Sequence, residues 1–152
     1  MTDSVDRVTR SRMMSGIRNK NTKPEIVVRK LLHAAGLRYR LHRRDLPGIP
    51  DIVLPKYHAV IFTHGCFWHM HEGCRYAKLP KSNSSFWKLK LESNRSRDER
   101  NVKLLLDAGW RVLVIWECSI RIAELSEQLG HTLISWILRQ ETYSEYPSKP
   151  VT

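Results

Sequence analysis

Apolar residues recur along this chain at two spacings, and the switches between them mark its elements. From Lys23 to Ala35, the residues Val27, Leu31 and Ala35 fall four apart, on one face of a helix. Its start is written in Thr22-Lys23-Pro24-Glu25. Thr22 can cap, Pro24 fits the first turn and Glu25 completes a capping box. Gly36 closes the helix. Leu37 to His42 then alternates apolar and polar positions, which predicts a half-buried strand. Asp51-Ile52-Val53-Leu54 and Ala59-Val60-Ile61-Phe62 read as short buried strands, joined tightly enough through Pro55–His58 to form a hairpin. Periodicity lapses over residues 64–83. Ser84 or Ser85 can cap a long helix running to Ala108, and Gly109 closes it. Trp110 to Trp116 reads as a buried strand and Ile120 to Arg139 as a final helix, with the last dozen residues frayed. The order α-β-β-β-α-β-α predicts an α/β fold, a mixed central sheet flanked by helices. The expected organisation is a basic arm over residues 1–22, one domain over 23–140 and a C-terminal tail over 141–152.

Charge changes this picture. Lys and Arg number 26 against 15 Asp and Glu, and the net charge of +11 favours a polyanionic partner over an ordinary basic surface. The charge is spread along the chain and forms no amphipathic basic segment, which favours nucleic acid over a membrane surface. Arg10, Arg12, Arg18 and Lys20 crowd the first residues, where an arm can follow phosphates. No apolar run is long enough to span a bilayer and no export signal is visible, so a cytoplasmic protein is expected. The 3 cysteines cannot all pair, which argues for a reducing compartment and against a disulfide framework.

The aperiodic stretch carries the chemistry. In His64-Gly65-Cys66-Phe67-Trp68-His69-Met70-His71-Glu72-Gly73-Cys74, two cysteines bracket His71, and Cys118 follows the buried strand that ends near Glu117. If that strand lies beside Ala59–Phe62, then Cys66, His71, Cys74 and Cys118 make a closed Cys3His tetrahedron, an arrangement suited to structural Zn2+. The alternative is three buried reduced thiols among surface histidines. Asp51 opens one hairpin strand and Thr63-His64 ends its partner, so they share one edge. Asp51 and the main-chain carbonyl of Thr63 offer oxygen ligands to Mg2+. His64 and His69 are then available for proton transfer or phosphate contact, and Glu25 could orient one of them. Singly, Asp51 could be a turn cap, His64 a surface residue and Glu25 a capping-box member only. Phe67 and Trp68 suit a wedge between base pairs, or minor core positions. Trp87, Lys90 and Asn94 share one helix stripe, fit for base and backbone contact, although core spacing explains Trp87 equally well.

Phe62-Thr63-His64-Gly65-Cys66-Phe67-Trp68-His69, with Pro50-Asp51 before it and Trp110 to Cys118 after it, closely resembles the very-short-patch repair (Vsr) endonucleases. Thr9-Arg10-Ser11-Arg12-Met13-Met14 also resembles that family's opening, and the likeness runs over roughly residues 7–140. The resemblance implies a PD-(D/E)xK, restriction-endonuclease-like fold with a zinc-stabilised loop. It implies a nick in one strand, 5′ to the thymine of a T:G mismatch left by deamination of 5-methylcytosine. By motif position, Asp51 and Thr63 would hold Mg2+, His64 and His69 would contact phosphate and move protons, and Glu25 would support them. Cys66, His71, Cys74 and Cys118 fall on the family's zinc ligands. Phe67, Trp68 and Trp87 fall on its intercalating aromatics, Met14 on an arm residue entering from the other groove, and Lys90 and Asn94 on mismatch-reading positions. The sequence departs from the general nuclease signature, since Phe62-Thr63-His64 stands where D/E-x-K would, as in this family. The loop between Cys66 and Trp87 is one residue longer than the family pattern, with Glu72-Gly73 in place of a denser histidine run. The expected partner is double-stranded DNA with a T:G mismatch, with other mismatch-repair proteins as further candidates and a monomer as the expected state. Two rivals are a restriction-type nuclease on the same fold and a zinc-stabilised, non-catalytic DNA-binding module.

Overall fold

The computed structural model describes residues 21–152. The basic residues of the arm and Met14 lie outside the described residues. Five strands form one mixed sheet in the order β1-β2-β3-β4-β5. They are β1 (Arg40–Leu41), β2 (Ile52–Leu54), β3 (Ala59–His64), β4 (Arg111–Trp116) and β5 (Tyr143–Tyr146). The helices are α1 (Lys23–Ala34), α2 (Ser84–Asp107), α3 (Cys118–Arg121) and α4 (Ala123–Leu138). None among the described residues is long and apolar enough to cross a membrane.

Period-two alternation in the strands sorts their side chains onto two faces, and each face has its own core. Ile52, Leu54, Ala59, Ile61, Leu113 and Ile115 face Val28 and Leu32 of α1 and Leu129, Leu133 and Ile137 of α4. Val53, Val60, Phe62, Val112, Val114 and Trp116 face Leu105 of α2 and all three cysteines. The result is a three-layer sandwich in which each fully buried aliphatic side chain contributes roughly 1.5–3 kcal/mol.

The hairpin forms as the sequence predicts. β2 and β3 pair antiparallel, Ile52 with Ile61 and Leu54 with Ala59, through a 3-10 turn at Pro55–Tyr57 and a left-handed His58. β3 and β4 pair parallel from Ala59–Arg111 to His64–Trp116. The two strands therefore end level, and Cys66 and Cys118, each two residues beyond its strand, arrive side by side.

Several expectations need correction. The strand expected over Leu37–His42 shrinks to two exposed residues, because Leu37 and Tyr39 turn onto the α1–α4 core and His42 enters the left-handed region at φ 48°. Asn83, not Ser84 or Ser85, precedes α2. The single helix expected over Ile120–Arg139 breaks at Ile122, whose extended backbone separates α3 from α4. Where fraying was expected, Tyr143–Tyr146 adds a parallel strand to β4, and the Tyr146 hydroxyl donates to the Leu125 carbonyl at 2.6 Å. The Thr22 side chain makes no capping bond. Glu25 accepts instead from the Asn21 N–H at 3.2 Å, and it is wholly buried.

Candidate active site and metal centre

Two groups of polar side chains flank the C-terminal end of β3. On the side of Thr63, the Asp51 carboxylate accepts from the Thr63 N–H at 2.7 Å and from its hydroxyl at 3.1 Å. Burial pushes the Asp51 carboxyl up to about 6, and the nearby Glu25 charge adds to this. The Thr63 hydrogen bonds and His42 act the other way, favouring the ionised form. Glu25 accepts from the His42 Nε2–H at 3.1 Å and pairs with Arg29 at 3.0 Å. Ligand atoms of Glu25, His42 and Asp51 lie within 4.8 Å of one another. Two carboxylates and an imidazole converging on one small volume are a donor set that a divalent cation fits. The backbone leading to Asp51 is tightly bent, with Gly48 at φ 75° and Ile49, a β-branched residue, at φ 46°.

On the opposite side of β3, His64 stacks on His69 at 3.9 Å between ring centroids and meets Trp116 edge-on at 5.3 Å. The Asp98 carboxylate can only accept, so the 2.6 Å contact with His69 Nδ1 puts the ring hydrogen on that nitrogen. Nε2 of a neutral His69 is thereby left as the basic atom. Burial first, with His69, Arg97 and His71 close by, pushes His64 well below the ordinary histidine range, which favours its neutral form. Glu25 thus orients His42, while Asp98 orients His69. The notion that Glu25 orients His64 or His69 is replaced by this division.

The cysteine–histidine centre lies behind this second group. Cys66, His71, Cys74 and Cys118 are all buried, with ligand atoms within 4.8 Å of one another. Cys118 Sγ is 3.7 Å from His71 Nδ1, and the Cys118 N–H donates to Cys66 Sγ at 3.3 Å. A tetrahedron with 2.3 Å metal–sulfur bonds has edges of about 3.8 Å, so four such ligands fit one ion. Without a metal, the adjoining Cys118 thiol and burial push the Cys66 thiol up, and burial does the same at Cys74. Buried thiols packed together gain little. One ion that accepts them as thiolates removes that penalty. The His71 ring also stacks on Trp116 at 4.0 Å, which fixes its direction.

Beside these groups, Phe67, Trp68 and Trp87 form a mutual edge-to-face cluster with centroids 5.1–5.8 Å apart. Phe86 extends it at 5.3 Å from Trp87 and is 60% exposed. Lys90 is half-buried on the same helix. The Asn94 amide donates to the Trp68 carbonyl at 3.0 Å, so in the free protein it holds the aromatic loop. Sequence reasoning missed Asp98 and His42. Extending the stripe Trp87, Lys90, Asn94 by one more turn reaches Asp98. His42 closes the strand whose main chain meets Asp51, the His42 N–H donating to the Asp51 carbonyl at 3.1 Å.

Residues 2–75 match the family model described as DNA mismatch endonuclease Vsr. The type II nicking enzyme V.XorIIP of Xanthomonas oryzae is 52% identical over 79% of this chain and 88% of its own length. The DNA mismatch endonuclease Vsr of Escherichia coli is 42% identical over 90% of this chain and 88% of its own. The type II nicking enzyme V.NmeAIP of Neisseria meningitidis is 46% identical over 80% and 86%.

Proposed function

The chain belongs to the Vsr family of DNA mismatch endonucleases, hydrolases of restriction-endonuclease-like fold that act in DNA repair, and from that premise we propose its reaction. It nicks one strand of duplex DNA 5′ to the thymine of a T:G mismatch produced by deamination of 5-methylcytosine, and so starts very-short-patch repair. The observation that carries this reading is the pairing, across the end of one strand, of a cation-fitted carboxylate at Asp51 with an oriented base at His69.

Asp51, with the Thr63 main chain, would hold Mg2+. When bound, the cation would supply Lewis acidity and positive charge at the scissile phosphate. His69 Nε2 takes a proton from the attacking water, and Asp98 keeps the tautomer that leaves this nitrogen free to do so. Neutral His64 hydrogen-bonds a phosphate oxygen where charge grows. Glu25, tethered by Arg29 and beside His42, is the supporting acid at the hairpin mouth. Cys66, His71, Cys74 and Cys118 would hold Zn2+, tying the loop between β3 and α2 to the ends of β3 and β4. Phe67, Trp68 and Trp87 enter the stack at the mismatch, Lys90 and Asn94 contact bases and backbone, and the arm with Met14 approaches from the other groove. The enzyme acts as a monomer in the bacterial cytoplasm, alongside other mismatch-repair proteins.

The test uses end-labelled duplexes with one T:G pair or with T:A in its place, with Mg2+ or a chelator. A Mg2+-dependent cut in the thymine strand of the mismatched duplex alone is expected. Cleavage of both strands of matched DNA would make the protein a restriction-type nuclease. Binding without cleavage would make it a non-catalytic module.

A further inference from the structure

The group on the Thr63 side of β3 is not built of oxygen alone. The Glu25 and Asp51 carboxylates converge with the His42 imidazole, all within 4.8 Å. We propose that His42 donates a ring nitrogen to the divalent cation held at Asp51, with Glu25 as a further oxygen ligand, so that this site binds Mn2+ in preference to Mg2+. This rests on the reading that Asp51 holds the catalytic cation.

Three observations carry it. The first is spacing. His42 Nε2 and Glu25 Oε1 are 3.1 Å apart, bridged by the Nε2–H until a cation takes its place and the ring hydrogen moves to Nδ1. Adjacent ligands in an octahedron with 2.0–2.2 Å bonds sit about 3 Å apart, so the pair already matches one edge of a coordination sphere. The second is anchoring. Glu25 is buried and tethered by Arg29 at 3.0 Å and by the Asn21 N–H at 3.2 Å, so it cannot swing out to solvent. The His42 main chain is in turn bonded to that of Asp51 at 3.1 Å, which keeps the imidazole at the hairpin mouth. The third is conformation. His42 holds a left-handed backbone at φ 48°, unfavourable for a residue with a Cβ and sustained here by its two contacts. It is this turn out of β1 that brings the ring to Glu25. Mg2+ selects oxygen ligands and tolerates few substitutions, whereas an imidazole in the set favours a transition-series ion. The competing account is a plain His42–Glu25 ion pair that braces the hairpin and never meets a cation.

The experiment uses the zinc-loaded full chain and Mn2+ as the probe. Free Mn2+ is titrated by electron paramagnetic resonance, pulsed measurement reads coupling to 14N, and Mg2+ affinity is read by competition. Wild type, His42→Gln, His42→Asn, Asp51→Asn and His69→Gln are compared, with circular dichroism for folding. His42→Asn is included because asparagine tolerates the left-handed backbone. Wild type is expected to bind Mn2+ with 14N coupling, and His69→Gln to keep it. Both His42 variants are expected to lose the coupling and about tenfold in Mn2+ affinity, with Mg2+ affinity changed less than about twofold. Coupling that survives in both His42 variants, an unchanged Mn2+:Mg2+ ratio, or coupling lost only in His69→Gln overturns the proposal and leaves the nuclease reading standing. Wild-type nicking by Asp51→Asn overturns the nuclease reading itself, and the role of His42 with it.

Discussion

Two metal-fitted sites adjoin the same end of β3, and they are built on opposite plans. At Cys66, His71, Cys74 and Cys118 every ligand is buried, the donors are three sulfurs and one nitrogen, and the four complete a closed shell. At Asp51 two of the three converging donors are carboxylates, and Asp51 itself is only half-buried. The first site replaces a core that the loop between β3 and α2 does not have. The second stands at the edge of a sheet whose core is already complete, so its groups are free to be chosen for chemistry. The proposed function makes the closed thiolate shell structural and the carboxylate mouth catalytic.

The widest separation of the two should come from Asp51→Ala. Nicking of a T:G duplex is expected to fall on the order of a thousandfold or more, while mismatch binding and the melting temperature hardly change. A gel-based single-turnover assay beside a binding titration reads both. Cys118→Ser should do the reverse. Losing one of four ligands is expected to cost several kcal/mol, a drop in melting temperature of about 10 °C, with metal content falling together with it. Unchanged melting would make the thiols ordinary core residues. Asp98→Asn should lower single-turnover nicking roughly ten- to a hundredfold and distort the pH profile of the rate, because an amide can stabilise the wrong His69 tautomer. A rate loss without change in profile would reduce Asp98 to a loop support.

The smallest effect is a pH dependence. The Asp51 carboxyl is raised in the folded protein, to about 6, so folding favours its protonated form. That contribution is fully present below the unfolded carboxyl value and is lost as pH rises through about 6. In chelator, Asp51→Asn should therefore be more stable than wild type at pH 7.5, and the gap should close by pH 4, as melting curves would show. The gap is on the order of 1 kcal/mol, since the side chain is partly open to water. A gap that widens on acidification would contradict the assigned environment.

Much of this was legible in the sequence because it rests on local spacing. The β2–β3 hairpin, the long α2 and the buried β4 follow from short apolar runs punctuated by Pro, Gly and Ser. The cysteine–histidine centre follows once β3 and β4 are taken as neighbours ending level. What escaped depends on tertiary packing. β5 is a polar four-residue segment, Tyr-Ser-Glu-Tyr, whose strand character comes from pairing with β4. The break at Ile122 has no Gly or Pro to announce it. Glu25 has the spacing of a capping box, yet its carboxylate turns inward to His42, a partner 17 residues away that no local rule connects. Asp98 was one helical turn beyond a stripe already recognised, and only the fold brings it against His69.

The central claim is that the carboxylate at the hairpin mouth holds the catalytic cation. The most direct measurement is an anomalous difference map from crystals soaked in Mn2+. The account predicts a Mn2+ peak in contact with the Asp51 carboxylate, separate from a zinc peak inside the Cys66, His71, Cys74 and Cys118 shell. A Mn2+ peak only between His64, His69 and Asp98, with the residue 51 carboxylate turned away, would contradict it.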